Sequence, residues 1–419
     1  MNRVEELIQQ LCPNGVEWKK LGEIGTFYSG LSGKTKKDFE KGNAKYVTYS
    51  NIFNNVAVNL KIDDVVNVLP NEKQNIIAYG DIIFTGSSET PDECGMSSVV
   101  TEIINEPIYL NSFCFGFRLN NLSLFEPSFA KFLFRSNHLR NSIKKTANGV
   151  TRYNISKQLF SQIEIPIPPL PIQQEIVRIL DTFTELTANL QTELDARKKQ
   201  YAYYRDCLLN FEGVDGVEWK KLGEIGLFYG GLSGKTKKDF EEGNAKYVTY
   251  SNIFNNIAVN LNMNDVVNIL PGEKQNVIAY GDVIFTGSSE TPDECGMSSV
   301  VTEIINEPIY LNSFCFGFRL NNLSLYEPGF LKFLFRSNNI RNEIKKTANG
   351  VTRYNISKKL FSQIEIPIPP LPEQRRIVAI LDKFETLVND LSVGLPAELE
   401  ARRKQYEYYR DKLLTFDRV

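Results

Sequence analysis

Histidine is almost absent from this sequence: among 419 residues only His138 carries an imidazole. Ser–His–Asp and Cys–His catalysis therefore have little to work with, and any metal site would depend on carboxylates alone. The sequence also lacks GxGxxG, HExxH and the Asn/Asp-Pro-Pro-aromatic tetrapeptide of methyltransferases. We expect His138 to be an ordinary surface residue of a helix.

Long apolar runs and paired cysteine motifs are missing as well. No run approaches the roughly 20 apolar residues that span a bilayer, and the opening MNRVEELIQQLCPNG is too polar for a signal peptide. We predict a short amphipathic helix over 1–14, no membrane association and a cytoplasmic location. Six cysteines without CxxC spacing are expected to be reduced thiols: Cys12, Cys94, Cys114, Cys207, Cys295 and Cys315.

What the chain does have is an internal repeat. GVEWKKLGEIG begins at Gly15 and again at Gly216, and the offset of 201 holds without a gap to Pro171 and Pro372. Of these 157 aligned positions, 18 differ, and the partner of the single histidine is Asn339. Each repeat therefore predicts the same structure twice.

Each repeat begins with a domain of mixed character, predicted over 15–170 and 213–371. Runs such as KYVTYSNIF and QNIIAYGDIIFTG are typical of strands, and Gly, Asn and Pro separate them. A helix is predicted from about Pro127, with Gly149 as its stop signal. The pattern indicates an α+β domain.

A helical spacer follows each domain, predicted over 171–212 and 372–419. Nine of eleven seam positions in the first are apolar at alternating steps of four and three, the heptad spacing of a coiled coil. These positions are Ile176, Leu180, Phe183, Thr187, Leu190, Leu194, Arg197, Tyr201, Tyr204, Leu208 and Phe211. The second spacer continues the pattern at Ile377, Leu381, Phe384, Val388, Leu391 and Leu395.

The second spacer carries four extra residues, because the ARKKQY of 196–201 returns as ARRKQY at 401–406. Gly394 and Pro396 predict a kink or a restarted helix there. Long helices of this kind are more often core elements, but neither spacer is expected to be stable alone, so we predict that the two pair. A two-fold relation between the repeats would make the pair antiparallel and bring the C-terminal RDKLLTF near the N-terminal helix. The predicted fold is α+β: two tandem α/β domains in inverted arrangement, separated by a two-helix antiparallel coiled coil.

The repeated GLSGKTKKD resembles a phosphate-binding loop only in part. The motif G-x-x-x-x-G-K-[ST] requires a glycine where Tyr28 and Tyr229 stand, and no apolar helix follows. A nucleotide-hydrolysing enzyme is therefore disfavoured. The paired carboxylates of SSETPDECG suggest a nuclease, but no lysine stands beside them at the usual spacing, and loop solvation is the commoner reason for such residues.

Charge is balanced overall but not locally. The formal net charge of −2 argues against a protein that coats nucleic acid indiscriminately, whereas residues 131–157 contain seven Lys or Arg and no acid. Such a one-sided stretch is typical of a local nucleic-acid contact.

The doubled markers resemble the specificity subunit of type I restriction-modification enzymes. These are GVEWKKLGEI, GVTRYNIS, then IPIPPLP followed by Gln173 or Gln374 and an Ile-rich helix, in the same order in both halves. The resemblance covers about residues 12–416. One departure is Ile172, where family members usually carry a glutamate, as at Glu373.

The resemblance implies a subunit without catalysis or cofactor of its own. Its two target recognition domains, 15–170 and 213–371, would read a bipartite site in double-stranded DNA. The helices would dock two methyltransferase subunits, which use S-adenosylmethionine and flip an adenine from the duplex, and translocating nuclease subunits can join such complexes. Because the halves are nearly identical, we predict two equal half-sites, hence a palindrome with an unspecified centre.

Site residues are predicted from side-chain chemistry. Cations are expected to anchor phosphates: Lys34, Lys36, Lys37, Lys144, Lys145 and Arg152, with Lys235, Lys237, Lys238, Lys345, Lys346 and Arg353. Polar loop residues are expected to meet base edges: Ser50, Asn51, Ser87, Ser88 and Thr90, with Ser251, Asn252, Ser288, Ser289 and Thr291. Solvated loops and helix caps are the structural alternative for each, and a coiled-coil scaffold without DNA specificity is the alternative function.

Overall fold

The computed structural model describes residues 2–419, apart from the side chain of Asn2, and the chain divides into two compact units. The first unit comprises residues up to Leu190 together with Leu399–Val419, and the second comprises Gln191–Glu398. Neither predicted spacer therefore stands as a unit of its own, because each helical segment packs with a domain.

The domains of the two repeats form the same series of strands and short helices, whereas a helix precedes the domain only in the first repeat, and two helices follow it in the second repeat where one follows it in the first. The first contains α1 (Asn2–Leu11), β1 (Glu17–Lys20), α2 (Leu21–Ile24), β2 (Gly25–Ser29), β3 (Ala44–Val47), α3 (Tyr49–Asn54), β4 (Val65–Val66), β5 (Ile82–Thr85), β6 (Ser87–Ser88), β7 (Ser97–Val99), β8 (Ile108–Leu110), β9 (Cys114–Leu119), α4 (Pro127–Leu133), α5 (Asn137–Lys144), β10 (Ala147–Asn148), β11 (Tyr153–Ile155), α6 (Lys157–Phe160), β12 (Glu164–Ile167) and α7 (Leu170–Leu208). The second contains β13 (Glu218–Lys221), α8 (Leu222–Ile225), β14 (Gly226–Gly230), β15 (Ala245–Val248), α9 (Tyr250–Asn255), β16 (Val266–Val267), β17 (Val283–Thr286), β18 (Ser288–Ser289), β19 (Ser298–Val300), β20 (Ile309–Leu311), β21 (Cys315–Leu320), α10 (Pro328–Leu334), α11 (Asn338–Lys346), β22 (Ala348–Asn349), β23 (Tyr354–Ile356), α12 (Lys358–Phe361), β24 (Glu365–Ile368), α13 (Leu371–Asn389) and α14 (Leu395–Leu413).

Each domain is organised around a four-stranded antiparallel sheet, in the order β2-β9-β5-β7 in the first and β14-β21-β17-β19 in the second. A second sheet, β4-β3-β8, includes the parallel pair β3–β8, and β10-β11-β6 forms a third. The strands β1 and β12 pair where the domain chain begins and ends. The α+β class predicted from the sequence is confirmed.

The continuous apolar run of β5 serves two cores at once. Successive side chains of a strand point to opposite faces, so Ile82 and Phe84 enter the core that contains α4, while Ile83 enters a smaller core beneath α3. Phe84 is fully buried and its ring meets the Phe160 ring edge-on at 4.9 Å. A strand covered on both faces explains why its sequence does not alternate.

One buried carboxylate fastens the central sheet of each domain. Asp81 is fully buried and accepts hydrogen bonds from Arg118 Nε at 2.7 Å, Arg118 Nη2 at 2.6 Å, the Tyr28 hydroxyl at 2.6 Å and the Ala78 amide at 2.8 Å. Burial, with the nearby Asp81 charge, raises the pKa of Tyr28 above its usual range. Asp282 makes the same contacts in the second domain.

The predicted helical pairing is present within each unit. In the first unit the Phe183 ring of α7 stacks on Tyr409 of α14 with ring centres 5.5 Å apart. In the second unit Tyr204 of α7 stacks on Phe384 of α13 at 5.6 Å. The helix predicted over 171–212 is observed as α7.

The predicted interruption of the second spacer is confirmed. Helix α13 ends at Asn389 and α14 begins at Leu395, and the Asp390 carboxylate caps the turn by accepting from the Ser392 amide at 2.7 Å. Leu391 lies in this turn and is 83% exposed, so its predicted place in the helical seam is wrong. None of the described helices is long and apolar enough to cross a membrane.

The predicted proximity of the C-terminal segment to the N-terminal helix is also confirmed, inside the first unit. Val4 and Leu7 of α1 share a core with Leu414 and Phe416. The Val16 amide donates to the Asp417 carbonyl at 2.8 Å, so the two segments are joined through their backbones as well.

Candidate nucleic-acid interface

The GKT loop holds its lysine inside the protein. Lys34 Nζ donates to the Asn67 carbonyl at 2.6 Å and to Glu72 Oε2 at 2.5 Å, and its side chain is only 5% exposed. The loop continues into a single 3₁₀ turn, Lys36–Phe39, instead of an α-helix. This arrangement does not fit a nucleotide-binding loop, and it leaves Lys34 without an ammonium free for the phosphate contact predicted for it.

The second repeat reproduces this ion pair. Lys235 Nζ meets Glu273 Oε2 at 2.5 Å, and this hydrogen bond, helped by one from Gln275, lowers the pKa of Glu273 to about 2. The phosphate role predicted for Lys235 fails for the same reason as in the first repeat. The neighbouring cations are exposed, so their role stays a prediction: Lys36, Lys37, Lys237 and Lys238.

Several cations of the basic stretch 131–157 form hydrogen bonds inside the domain. Arg135 donates to the carbonyls of Ser97, Ile52, Phe53 and Asn55, and Arg140 donates to those of Asp92, Cys94 and Gly95. Burial lowers the pKa of Arg135 to about 10. Backbone carbonyls give no signal in a sequence, which is why the stretch looked more available to a ligand than it is.

The predicted phosphate anchors at the end of α5 differ in their partners. Lys144 forms an ion pair with Asp92, as Lys345 does with Asp293. Lys145 is exposed and has no partner among the described residues. Lys346 instead meets Glu343 at 2.6 Å, because a glutamate replaces Ser142 in the second repeat.

The two predicted base readers on α3 differ in whether their side chains are available to DNA. Ser50 is exposed, and its hydroxyl lies 3.1 Å from that of Thr48. The Asn51 amide is used internally: Nδ2 donates to the Asn59 carbonyl at 2.8 Å and Oδ1 accepts from the Asn59 amide at 3.1 Å. Asn51 therefore shapes its own turn, and the structure does not support direct base contact by it. Ser251 and Asn252 repeat this arrangement.

The remaining predicted residues come together in one place. Strand β6 pairs with β11, so Ser87 lies opposite Asn154 although the two are distant in the chain. This pairing builds a concave pocket of about 580 Å³. We call it pocket 1; its lining residues are Tyr49, Phe53, Ser87, Ser88, Glu89, Glu93, Phe113, Thr151 and Arg152.

Two charged side chains are held in pocket 1 by hydroxyl groups. Arg152 donates from Nε and Nη2 to Ser87 Oγ at 3.2 and 3.0 Å, and its guanidinium lies 5.3 Å from the Phe113 ring centre. Glu93 Oε2 accepts from Ser88 Oγ at 3.1 Å and Thr90 Oγ1 at 3.0 Å. Ser88 and Thr90 thus orient a carboxylate.

Pocket 2 is the equivalent site of the second repeat, about 590 Å³ in volume. Arg353 Nη2 lies 3.0 Å from Ser288 Oγ, and Glu294 Oε2 accepts from Ser289 and Thr291 at 3.1 and 3.0 Å. None of the 18 differences between the repeats falls on the lining of either pocket. The lining residues are Tyr250, Phe254, Ser288, Ser289, Glu290, Glu294, Phe314, Thr352 and Arg353.

Sequence reasoning missed the aromatic residues and Glu93. The segment SSETPDECG, which contains Glu93, was the available sequence signal for the pocket, but its carboxylates were interpreted as those of a possible nuclease. No group of three or more potential ligands that could hold a metal occurs among the described residues. His138 is exposed on α5 and packs edge-on against Trp18 at 5.8 Å, consistent with the surface role predicted for it.

Two α+β domains with matching polar pockets and attached long helices define a repeated recognition module. The chain belongs to the family of type I restriction modification DNA specificity domains, which it matches over 13–196 and 215–401. This confirms the family predicted from the repeated motifs. Relatives that this chain matches are named as specificity subunits of type I restriction enzymes.

Curated relatives include a type I restriction enzyme specificity subunit from Escherichia coli, 39% identical over 275 residues. That alignment covers 61% of this chain and 64% of the relative, so the chain spans less than two thirds of that protein. A putative type I specificity subunit from Mycoplasma pneumoniae is 35% identical over 251 residues, which cover 60% of this chain and 92% of the relative.

Solved structures share the fold. A chain from a study of assembly and conformational transition of the type I system aligns with a TM-score of 0.65 and 21% identity, covering 96% of this chain and 98% of that one. The HsdS subunit from Thermoanaerobacter tengcongensis aligns with a TM-score of 0.54 and 21% identity, covering 96% and 97%. The likeness spans both repeats and the helices.

Proposed function

We propose that this chain is the DNA-recognition subunit of a type I restriction-modification complex and reads one half-site with each domain. The observation that carries the proposal is the presence of two matching polar pockets, one in each domain of a chain from this family. The phosphate contacts that position the domains come from exposed lysines: Lys36, Lys37 and Lys145 in the first domain, and Lys237 and Lys238 in the second. Lys346 is already paired with Glu343.

The two half-sites are the same sequence. Pocket linings that do not differ between the repeats present the same hydrogen-bonding groups to DNA. Inverted domains would then read a palindrome with an unspecified centre, with half-site centres roughly 10 bp apart if both domains face one side of the duplex. The four-residue insertion in one spacer shifts this spacing slightly.

The partners follow from the same role. Two methyltransferase subunits dock on the helices and supply adenine methylation with S-adenosylmethionine, and translocating nuclease subunits join complexes that also cleave DNA. The relatives named as specificity subunits of type I enzymes support this assembly. Such a complex works on chromosomal and incoming DNA, and we place it in the cytoplasm.

Mapping of methylated adenines tests the proposal. The chain is expressed with its methyltransferase subunits in a host that lacks other adenine methylation. We expect a split symmetric motif, and the signal should vanish when the chain is omitted. Two unlike half-sites would contradict the palindrome while keeping the recognition role, and a lack of methylation with assembled, active partners would contradict the role itself.

A further inference from the structure

Pocket 1 holds two opposite charges that do not pair with each other. Arg152 makes no ion pair with any described carboxylate, and its contacts are to Ser87 and the Phe113 ring. Glu93 uses Oε2 for both of its hydrogen bonds, and Oε1 has no partner within the described part of the chain. One guanidinium edge and one carboxylate oxygen of these two lining residues are therefore unused.

Two cations beside the pocket are already satisfied, unlike Arg152 and Glu93. Lys144 pairs with Asp92 beside the pocket, and Arg140 donates to three backbone carbonyls. Holding a carboxylate with two hydroxyls while leaving its other oxygen open positions an acceptor in advance of binding. Preorganised groups lose less conformational freedom when a ligand arrives.

The charges of the pocket lining also indicate which part of DNA the pocket can bind. Two carboxylates, Glu89 and Glu93, line the pocket and would repel a phosphate group. A base edge carries no net charge and offers donors as well as acceptors. In the major groove guanine presents two acceptors, O6 and N7, and its paired cytosine presents the N4 amino donor. Arginine matches the first and glutamate the second.

We infer that each pocket reads one G·C pair in the major groove. Glu93 accepts a hydrogen bond from cytosine N4, and Arg152 donates to guanine O6 and N7, with its guanidinium steadied over Phe113. Glu294 and Arg353 do the same in the other half. The inference rests on the proposed DNA-recognition function, and it changes the sequence-based role of Arg152 from phosphate anchor to base reader.

Selection from randomised duplex DNA tests this assignment. The full chain, assembled with its methyltransferase subunits, is compared with a Glu93→Gln, Glu294→Gln variant. Glutamine keeps the shape of glutamate but replaces one oxygen with an amide donor. We expect one G·C position in each half-site to become degenerate, with a loss of preference of about 5- to 150-fold, the range that a good side-chain–base pair supplies.

A second variant separates base reading from phosphate anchoring. Arg152→Lys with Arg353→Lys keeps the charge but loses the planar fork. Base reading predicts that the same position becomes degenerate. A phosphate role predicts an unchanged motif with uniformly altered affinity, and this result would overturn the inference.

The matched control is Glu102→Gln with Glu303→Gln, which makes the same charge change at exposed positions outside the pockets. Its motif should stay intact. If the wild-type complex selects no motif, the proposed function fails. If it selects a motif that the Glu93 variant leaves unchanged, or a motif without a G·C pair, only the pocket assignment fails.

Discussion

The two repeats differ in sequence far more than in their internal contacts. Ile62 and Met263 are both buried, and so are Phe125 and Tyr326, where the added hydroxyl donates to the Pro367 carbonyl at 2.9 Å. The guanidinium–carboxylate contact of the central sheet is 2.6 Å in both domains. Substitutions inside the domains are thus absorbed without displacing the buried network of the central sheet.

The helical segments show the opposite behaviour. Helix α7 runs unbroken for 39 residues, whereas α13 and α14 have 19 residues each and are separated by a turn. A four-residue insertion is slightly more than one helical turn, so it rotates the residues after it by about 40° unless the helix unwinds or restarts. The domains are therefore the rigidly duplicated part of the molecule, and the helices are where the repeats diverge.

Breaking the sheet network in one repeat should have the largest effect. Asp81→Ala removes the charged acceptor of Tyr28, Ala78 and Arg118, and because the Arg118 side chain is 43% exposed we expect a loss of about 3 kcal/mol of unfolding free energy. Asp282→Ala should cost as much in the second domain. Asp63→Asn is the control, because the second repeat carries Asn264 there. Urea denaturation measures all three, and similar midpoints for Asp81→Ala and Asp63→Asn would refute the network.

Breaking the junction between domain and helix comes next. Gln173 is fully buried; it accepts from the Glu126 amide at 2.9 Å and donates to the Leu124 and Pro168 carbonyls at 2.8 and 2.7 Å. Gln173→Leu should cost about 1–3 kcal/mol, because it leaves these backbone groups unsatisfied.

The equivalent change, Gln374→Leu, should match it within error if the two junctions are alike. Gln158→Lys serves as the neutral control, since the second repeat has Lys359. Thermal unfolding measures the difference in stability between each variant and the control. A Gln173→Leu variant as stable as the control would contradict a stabilising role of Gln173 at the junction.

A pH titration tests whether the GKT loops of the two repeats contain the same lysine–glutamate ion pair. Glu273 has a folded pKa of about 2, below its ordinary value of 4.5, because of its hydrogen bond from Lys235. The stabilisation by this pair is complete above about pH 4.5 and is lost as the pH falls through 2. The pKa of Glu72 is lowered for the same reason. Carboxyl NMR titration should show Glu273 ionised at pH 4 and a midpoint below 4.5 for Glu72, and a midpoint near 4.5 for either would exclude the pair in solution.

The smallest expected effect concerns surface charge. Lys41→Glu gives the first repeat the residue of the second, Glu242, at an exposed position. If Lys41 meets a phosphate, the slope of log affinity against log salt should fall by about 0.9. Thr26→Leu, which also copies the second repeat, should leave the slope unchanged. Equal slopes for both variants would remove Lys41 from the interface.

The sequence predicted the repeat, the helices and their interruption, because periodicity and duplication are local or regular signals. The pockets were predicted only in part, since Arg152 meets Ser87, 65 positions away in the chain, only when β6 pairs with β11. Lys34 was misjudged for a similar reason: its partner Glu72 lies 38 positions along the chain. Hydrogen-bond partners across such distances leave no pattern in one sequence.

The first unit is formed from two separate segments of the chain, and this has a consequence for its folding during synthesis on the ribosome. The second unit is one continuous stretch of chain, whereas the first needs residues 399–419 to cover the core of α1 and its domain. The domain made first must therefore wait for its final segment until the whole second unit has emerged. During that interval its apolar surface near Val4 and Leu7 is uncovered, so ribosome-bound chains stalled before Leu399 should recruit chaperones through the earlier domain.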